Sequence, residues 1–369
     1  MAQVATDIPR PHQVAGEQSA PTGARGGRPR WAALAWGVAG LVVVLASIIG
    51  GVLVGPAQIS VAQVLQVFAT ESGVGEGVPG VAVSRLEHAM VWDLRLPRVL
   101  TAGFVGAGLA ISGVIMQSLT RNPLADPYLV GLSSGASLGA VSVLVLSASV
   151  ALPVAAFLGS LGALIATLGL ARTLGTVTPT RVILAGLAVS QLCSALVSFV
   201  VFTAASGDTY REVLAWLLGS LASASWDSAA IGVAVCVVVG LPLLATGNVL
   251  DAFTFGESHA HALGVRVEQW RWALLIAVAL LVGVLVSISG AIGFIGIIVP
   301  HTVRLFTGPR HRLLLPFSAM CGAVFLMWSD TLARIIMEPK EIPVGVITAL
   351  VGAPIFAWAL YRHRSGTPQ

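Results

Sequence analysis

Residues 95–136 read RLPRVLTAGFVGAGLAISGVIMQSLTRNPLADPYLVGLSSGA. Arg95 and Arg98 bracket Leu96 and Pro97 at the start. An apolar, glycine-rich run follows, and it is long enough to cross a bilayer, which takes about 20 residues of helix. The run breaks at Asn122-Pro123-Leu124-Ala125-Asp126-Pro127 and resumes as a second apolar stretch rich in small residues. Two prolines this close end a helix and impose an irregular turn. Such backbone survives at a membrane edge only where protein or water satisfies it. Charge at the ends, small residues within and a polar break between two spans suit a helix pair lining a route through a membrane.

The remainder of the chain extends this reading. Of its 369 residues, 56% are hydrophobic and only 10% charged, whereas a soluble domain carries about 25% charged residues. Too few polar side chains exist to cover a water-facing surface. Apolar runs at 31–54, 98–118, 128–149, 151–171, 182–205, 228–247, 272–290, 292–308, 313–335 and 343–361 each qualify as a span. The eighth is short and holds Pro300, so it is expected to be broken or shielded by protein. The expected fold is an all-α polytopic membrane protein with about ten transmembrane helices. Residues 31–362 form the membrane domain, with a loop near 248–270. Residues 1–30, polar and rich in Pro, Gly and Ala, read as a disordered tail, and 363–369 as a second tail. An even number of spans puts both termini on one side. Placing them in the cytoplasm puts most of the 20 Lys and Arg inside, as the positive-inside rule requires. The expected location is the plasma membrane. Basic residues scattered among loops argue against nucleic acid as a partner. Residues 206–227, with Trp216 and Trp226, are expected to form a short helix at the outer interface. Cys193, Cys236 and Cys321 all fall in apolar runs and read as small buried hydrophobes.

Several chemistries are missing. The chain's single lysine, Lys340, follows Pro339. A phosphate-cradling GxxxxGK[ST] loop is therefore absent, and ATP hydrolysis by that route is excluded. No HExxH pair or GxSxG elbow appears either. The chain is not expected to be an enzyme or to hold a cofactor.

Four further stretches carry recognisable patterns. Residues 255–265 read FGESHAHALGV, a short helix stopped by Gly264. His259 and His261, two apart, do not share a helix face and are a poor metal pair. Residues 287–304 read SISGAIGFIGIIVPHTVR, with Gly290, Gly293 and Gly296 spaced for close helix approach. His301 within it reads as a packing residue, because no carboxylate lies within one turn. Asp330 is an acidic residue well inside a span, followed one turn later by Arg334, and it reads as structural. Residues 341–345 read EIPVG, with Pro343 suited to a first helical turn.

Together these stretches resemble the FecCD family, the permease subunits of ABC importers for iron-siderophores, haem and vitamin B12. The resemblance covers roughly residues 90–362. It implies that Gly256, Glu257, Ala260, Leu263 and Gly264 form a coupling segment that docks on a separate ATPase dimer, which carries the ATP and Mg. It implies that Asn122 and Leu124 lie at a cytoplasmic gate. Thr180 is placed there too, although Pro179 departs from the small polar residues usual beside it. Arg95, Arg98 and Arg334 are implied to hold glutamates of an extracytoplasmic substrate-binding protein. A second copy of the chain is implied, with the route along the homodimer axis. Ferric siderophore is the first expectation for cargo, with haem and cobalamin as alternatives. The rival class is an ion-coupled secondary transporter, which would need ionisable residues near the midplane, where only Asp330 comes close.

Overall fold

The computed structural model describes residues 30–57, 59–73, 81–173, 178–204 and 207–364. Most of both expected tails lies outside the described residues. Among the described residues there is no strand, and seven helices are long and apolar enough to cross a membrane. These are α1 (Leu34–Leu53 of the helix Arg30–Leu53), α3 (Arg85–Thr120), α5 (Leu152–Thr173), α6 (Pro179–Ala204), α8 (Trp226–Leu244), α11 (Val267–Ser289) and α13 (His311–Ile335). Three shorter apolar helices complete the expected ten: α4 (Leu132–Leu146), α12 (Ile295–Thr307) and α14 (Val344–Arg364). Four small helices decorate the ends: α2 (Val61–Ser72), α7 (Gly207–Leu217), α9 (Gly247–Thr254) and α10 (Glu257–Ala262).

The second span begins earlier than residue 98. Ser84 and Glu87 close a capping box that starts α3 at Arg85. The helix then widens into a π-turn over Met90–Arg95, where the Leu96 N–H reaches back to the Val91 carbonyl. Pro97 follows immediately. Its missing N–H and its ring would strain a regular turn, and the wider turn accommodates both. The same solution recurs in α8, where the π-turn Cys236–Gly240 stands directly before Pro242.

α3 is the central helix. Twenty of its side chains between Leu96 and Leu119 are buried, and it packs along α13. A Cβ at Gly106 would collide with the Gly322 carbonyl, so the two backbones touch because both positions lack one. Farther along, Gly113 lies against Gly296 of α12 in the same way. The expectation of close approach at Gly290, Gly293 and Gly296 holds unevenly. A Cβ at Gly296 would crowd the Pro127 ring, but one at Gly293 would face open space. Gly290 ends α11 with φ +67°, tight against the Trp216 carbonyl.

α12 has 13 residues, about 20 Å of helix, less than the roughly 30 Å of a bilayer core. The linker 290–294 therefore lies within the bundle rather than at its end. Ser220 N–H donates to the Ser289 carbonyl at 3.0 Å, and Tyr128 Oη donates to the Ile292 carbonyl at 3.0 Å. Irregular backbone is tolerated at such depth because protein satisfies it. The expected helix at 206–227 is shorter than anticipated. α7 ends at Leu217, and Trp226 instead opens α8, its ring 5.1 Å from Trp92.

Candidate gating and coupling site

At one end of the bundle the polar break and the 255–265 segment converge. Arg121 ends α3 in the left-handed conformation, φ +50°. Asn122 then folds the chain back: its Oδ1 accepts the Leu124 N–H at 2.9 Å, and its own N–H donates to the Gln117 carbonyl at 3.1 Å. Asp126 accepts the Tyr128 N–H at 2.9 Å and caps the 3-10 turn Pro127–Val130 that leads into α4. Asn122 and Leu124 themselves are exposed.

The 255–265 segment has two faces. Gly256 turns the chain with φ +100°, a conformation that a side chain would strain. Ala260 is fully buried, which only a small side chain allows at that contact, while Phe255 and Leu263 are 72% and 71% exposed. Gly264, φ +79°, stops the helix; its N–H meets the His261 carbonyl and the Val265 N–H meets that of Ala260. Glu257 opens α10; its side chain lies outside the described residues. His259 and His261 are exposed, and no metal-binding cluster occurs among the described residues.

The end of α3, the start of the 255–265 segment and the 178–180 loop share one cleft of about 620 Å³, which Asn122 and Leu124 do not line. Arg121, Thr178, Pro179, Thr180, Phe255 and Gly256 line it. Sequence reasoning placed Thr180 and Gly256 in separate groups; the structure puts them in the same wall. Beneath the cleft, Gln117 Nε2 donates to the carbonyls of Gly296 and Ile297, both at 3.2 Å, and Arg304 Nη2 donates to Gln117 Oε1 at 3.2 Å. The end of α3 is thus pinned to α12 by directional bonds.

The three arginines sit at the opposite end, and they are not free side chains. Arg95 (7% exposed), Arg98 (8%) and Arg334 (4%) all point into the fold. Arg98 grips Asp330 through Nε and Nη2 at 2.9–3.1 Å and Glu341 through Nη1 at 2.8 Å. Arg334 lies 3.4 Å from the same Asp330 and donates to the Gly51 carbonyl at 2.8 Å. Arg95 donates to the carbonyls of Val52, Leu53 and Ala57 at 2.9, 3.2 and 2.7 Å. Gly51, Val52 and Leu53 carry the last carbonyls of α1, which lack N–H donors within the helix and lie at its negative dipole end. Two arginines from other helices supply the missing donors. Asp330, read from the sequence as structural, is held by Arg98 across 232 residues of chain. Glu341, read at first only as part of a helix start, is the fifth member and the most exposed.

The comparisons with known proteins agree with this architecture. Residues 41–362 match the model of the FecCD transport family. The chain belongs to the FecCD transport family. It is 45% identical over 291 residues to a vitamin B12 import system permease protein of Vibrio cholerae, covering 77% of this chain and 86% of that one. It is 41% identical over 282 residues to the hemin transport system permease protein of Yersinia pestis, covering 74% and 84%. It is 38% identical over 358 residues to the cobalamin import system permease protein of Halobacterium salinarum, covering 89% and 96%. A solved inward-facing ABC transporter, described as of metal-chelate type, superposes with a TM-score of 0.75 at 28% identity, covering 89% of this chain and 99% of that one. This FecCD chain is therefore a multi-pass membrane permease subunit of the ABC importer kind.

Proposed function

We propose that the chain is the membrane subunit of an ATP-driven importer whose cargo is a metal chelate of the tetrapyrrole type, with cobalamin the first choice. The observation that carries this reading is the shared cleft: the segment with exposed Phe255 and Leu263 abuts the turn that ends α3. A short helix with a buried small face and projecting apolar side chains suits docking in a groove on a partner. The positive-inside pattern puts this end in the cytoplasm, where an ATPase dimer carrying ATP and Mg would bind. Displacement of α10 would reach Arg121 and Thr180 directly. Two copies would enclose the route along their common axis, and an extracytoplasmic binding protein would dock at the arginine end. There a carboxylate from the partner would take the place of Glu341 on Arg98, so docking would exchange one charge-assisted bond for another.

The cargo assignment rests on relatives named for vitamin B12, cobalamin and hemin. It moves ferric siderophore from first to second choice. Uptake of radiolabelled cobalamin, haem and ferric siderophore is measured in cells with and without the chain, alongside Leu263→Asp. Loss of cobalamin uptake on deletion, unrestored by Leu263→Asp, is expected. Selective loss of siderophore uptake would overturn the cargo assignment. Full uptake with Leu263→Asp, abolished by an uncoupler, would overturn ATP coupling through this segment.

A further inference from the structure

Three polar side chains that no sequence motif joins meet where α9, α13 and α3 converge. Asp251 lies on α9, His311 opens α13 and Ser118 occupies the last turn of α3. His311 Nδ1 is 2.7 Å from Asp251 Oδ1, and His311 Nε2 is 2.6 Å from Ser118 Oγ. An ionised carboxylate only accepts, so Nδ1 carries the proton that faces it. The same Asp251 oxygen accepts the His311 backbone N–H at 3.0 Å. Arg310, the residue before α13, makes no side-chain cap; Asp251 caps that helix from a different one. Ser118 Oγ also lies 2.8 Å from the Val114 carbonyl in its own helix. His311 and Ser118 are buried, while the Asp251 side chain is one-third exposed at 34%.

The placement matters more than the chemistry. Asp251 stands on the helix that ends at Phe255, one glycine turn before α10. Ser118 stands beside Gln117 and three residues before Arg121, on the helix whose end lines the cleft. Apolar helix contacts tolerate small sliding, whereas hydrogen bonds are lost within about 1 Å of displacement. Inside a protein such a chain of polar contacts is strong when complete and costly when half broken. A shift of α9 must therefore drag His311 and Ser118 or break two bonds at once.

We propose that Asp251, His311 and Ser118 form a relay that carries displacement of the 255–265 segment to α3. This rests on the importer reading above. The three are positioning residues, since none touches cargo or nucleotide.

The test uses the assembled importer in liposomes, with cobalamin, haem and ferric siderophore supplied in parallel as probes. The quantity read is ATP hydrolysed per probe molecule imported. His311→Ala and Asp251→Ala should raise that ratio about fivefold or more, the range of ordinary coupling between sites. The double variant should be no worse than either single one, because residues in one network are non-additive. Ser118→Ala should raise the ratio and Ser118→Thr, which keeps the hydroxyl, should restore it. Asp251→Asn, at the exposed end and of the same shape, serves if His311→Ala does not assemble, with a smaller rise in the same direction. An unchanged ratio in variants that assemble would overturn the relay while leaving the importer reading intact. So would import and hydrolysis falling in strict parallel, which marks loss of folded complex only. A wild-type importer that moves none of the probes at the expense of ATP would overturn the importer reading and the relay with it.

Discussion

The two ends of the bundle treat their polar groups in opposite ways. At the arginine end, Arg95, Arg98 and Arg334 turn inward onto Asp330, Glu341 and backbone carbonyls at or just past the end of α1. At the other end, a cleft of about 620 Å³ is left open and Phe255 and Leu263 stand in solvent. Charge is closed off at one face and apolar surface is offered at the other. Buried charges hold helices in register but cost much when one partner is removed. Exposed apolar residues contribute little to folding and are available to a partner. One end therefore holds helices of the subunit together, and the other leaves apolar surface open to a partner.

The sharpest way to break this contrast is Arg98→Ala. It leaves Asp330 buried beside a single, longer contact to Arg334, and losing one partner of a buried ion pair costs about 3–5 kcal/mol. A large drop in the detergent-solubilised melting temperature is expected; an unchanged value would mean that the network is not closed. Arg95→Ala comes next. It strands two carbonyls at the end of α1 and that of Ala57 just beyond it, at about 1–3 kcal/mol for buried groups left unmet. Protease cleavage near residues 53–60 should become faster. Asn122→Ala, at the open end, removes one turn-forming bond worth about 1 kcal/mol. A small loss of stability with a larger loss of transport would sharpen the view that this turn works by shape. Leu263→Asp should change stability by about 0.5 kcal/mol or less, as surface substitutions do. Copurification of the ATPase chain should nevertheless collapse. If stability falls instead and copurification persists, the two ends do not differ as described.

Several elements were legible in the sequence because their causes are local. The ten apolar runs correspond to ten helices, since twenty apolar residues in a row have few other fates. The break at 122–127 and the stop at Gly264 follow from proline and glycine chemistry. The early start of α3 was also written locally, in Ser84 and Glu87, but the apolar run drew attention to residue 98 instead. The π-turns before Pro97 and Pro242 had the same kind of local signal.

Other features were not legible because their partners are distant. The resemblance implies that the three arginines hold glutamates of a binding protein, and no local pattern in the sequence points to their partners within the chain. In the structure Arg95 and Arg334 meet the last carbonyls of α1, and Arg98 meets Asp330 and Glu341. Arg334 finds Gly51 across 283 residues, and Ser118 finds His311 across 193. By itself the sequence determined that this chain crosses a membrane many times, where its helices break and which segments are polar. Those properties depend on the hydration of neighbouring residues along the chain. Only the tertiary structure decided which charges are closed off, that Thr180 and Gly256 share a wall, and that Asp251, His311 and Ser118 touch. Those depend on how helices pack, and a hydrogen bond of 3 Å is set by the geometry of that packing, which no local pattern encodes.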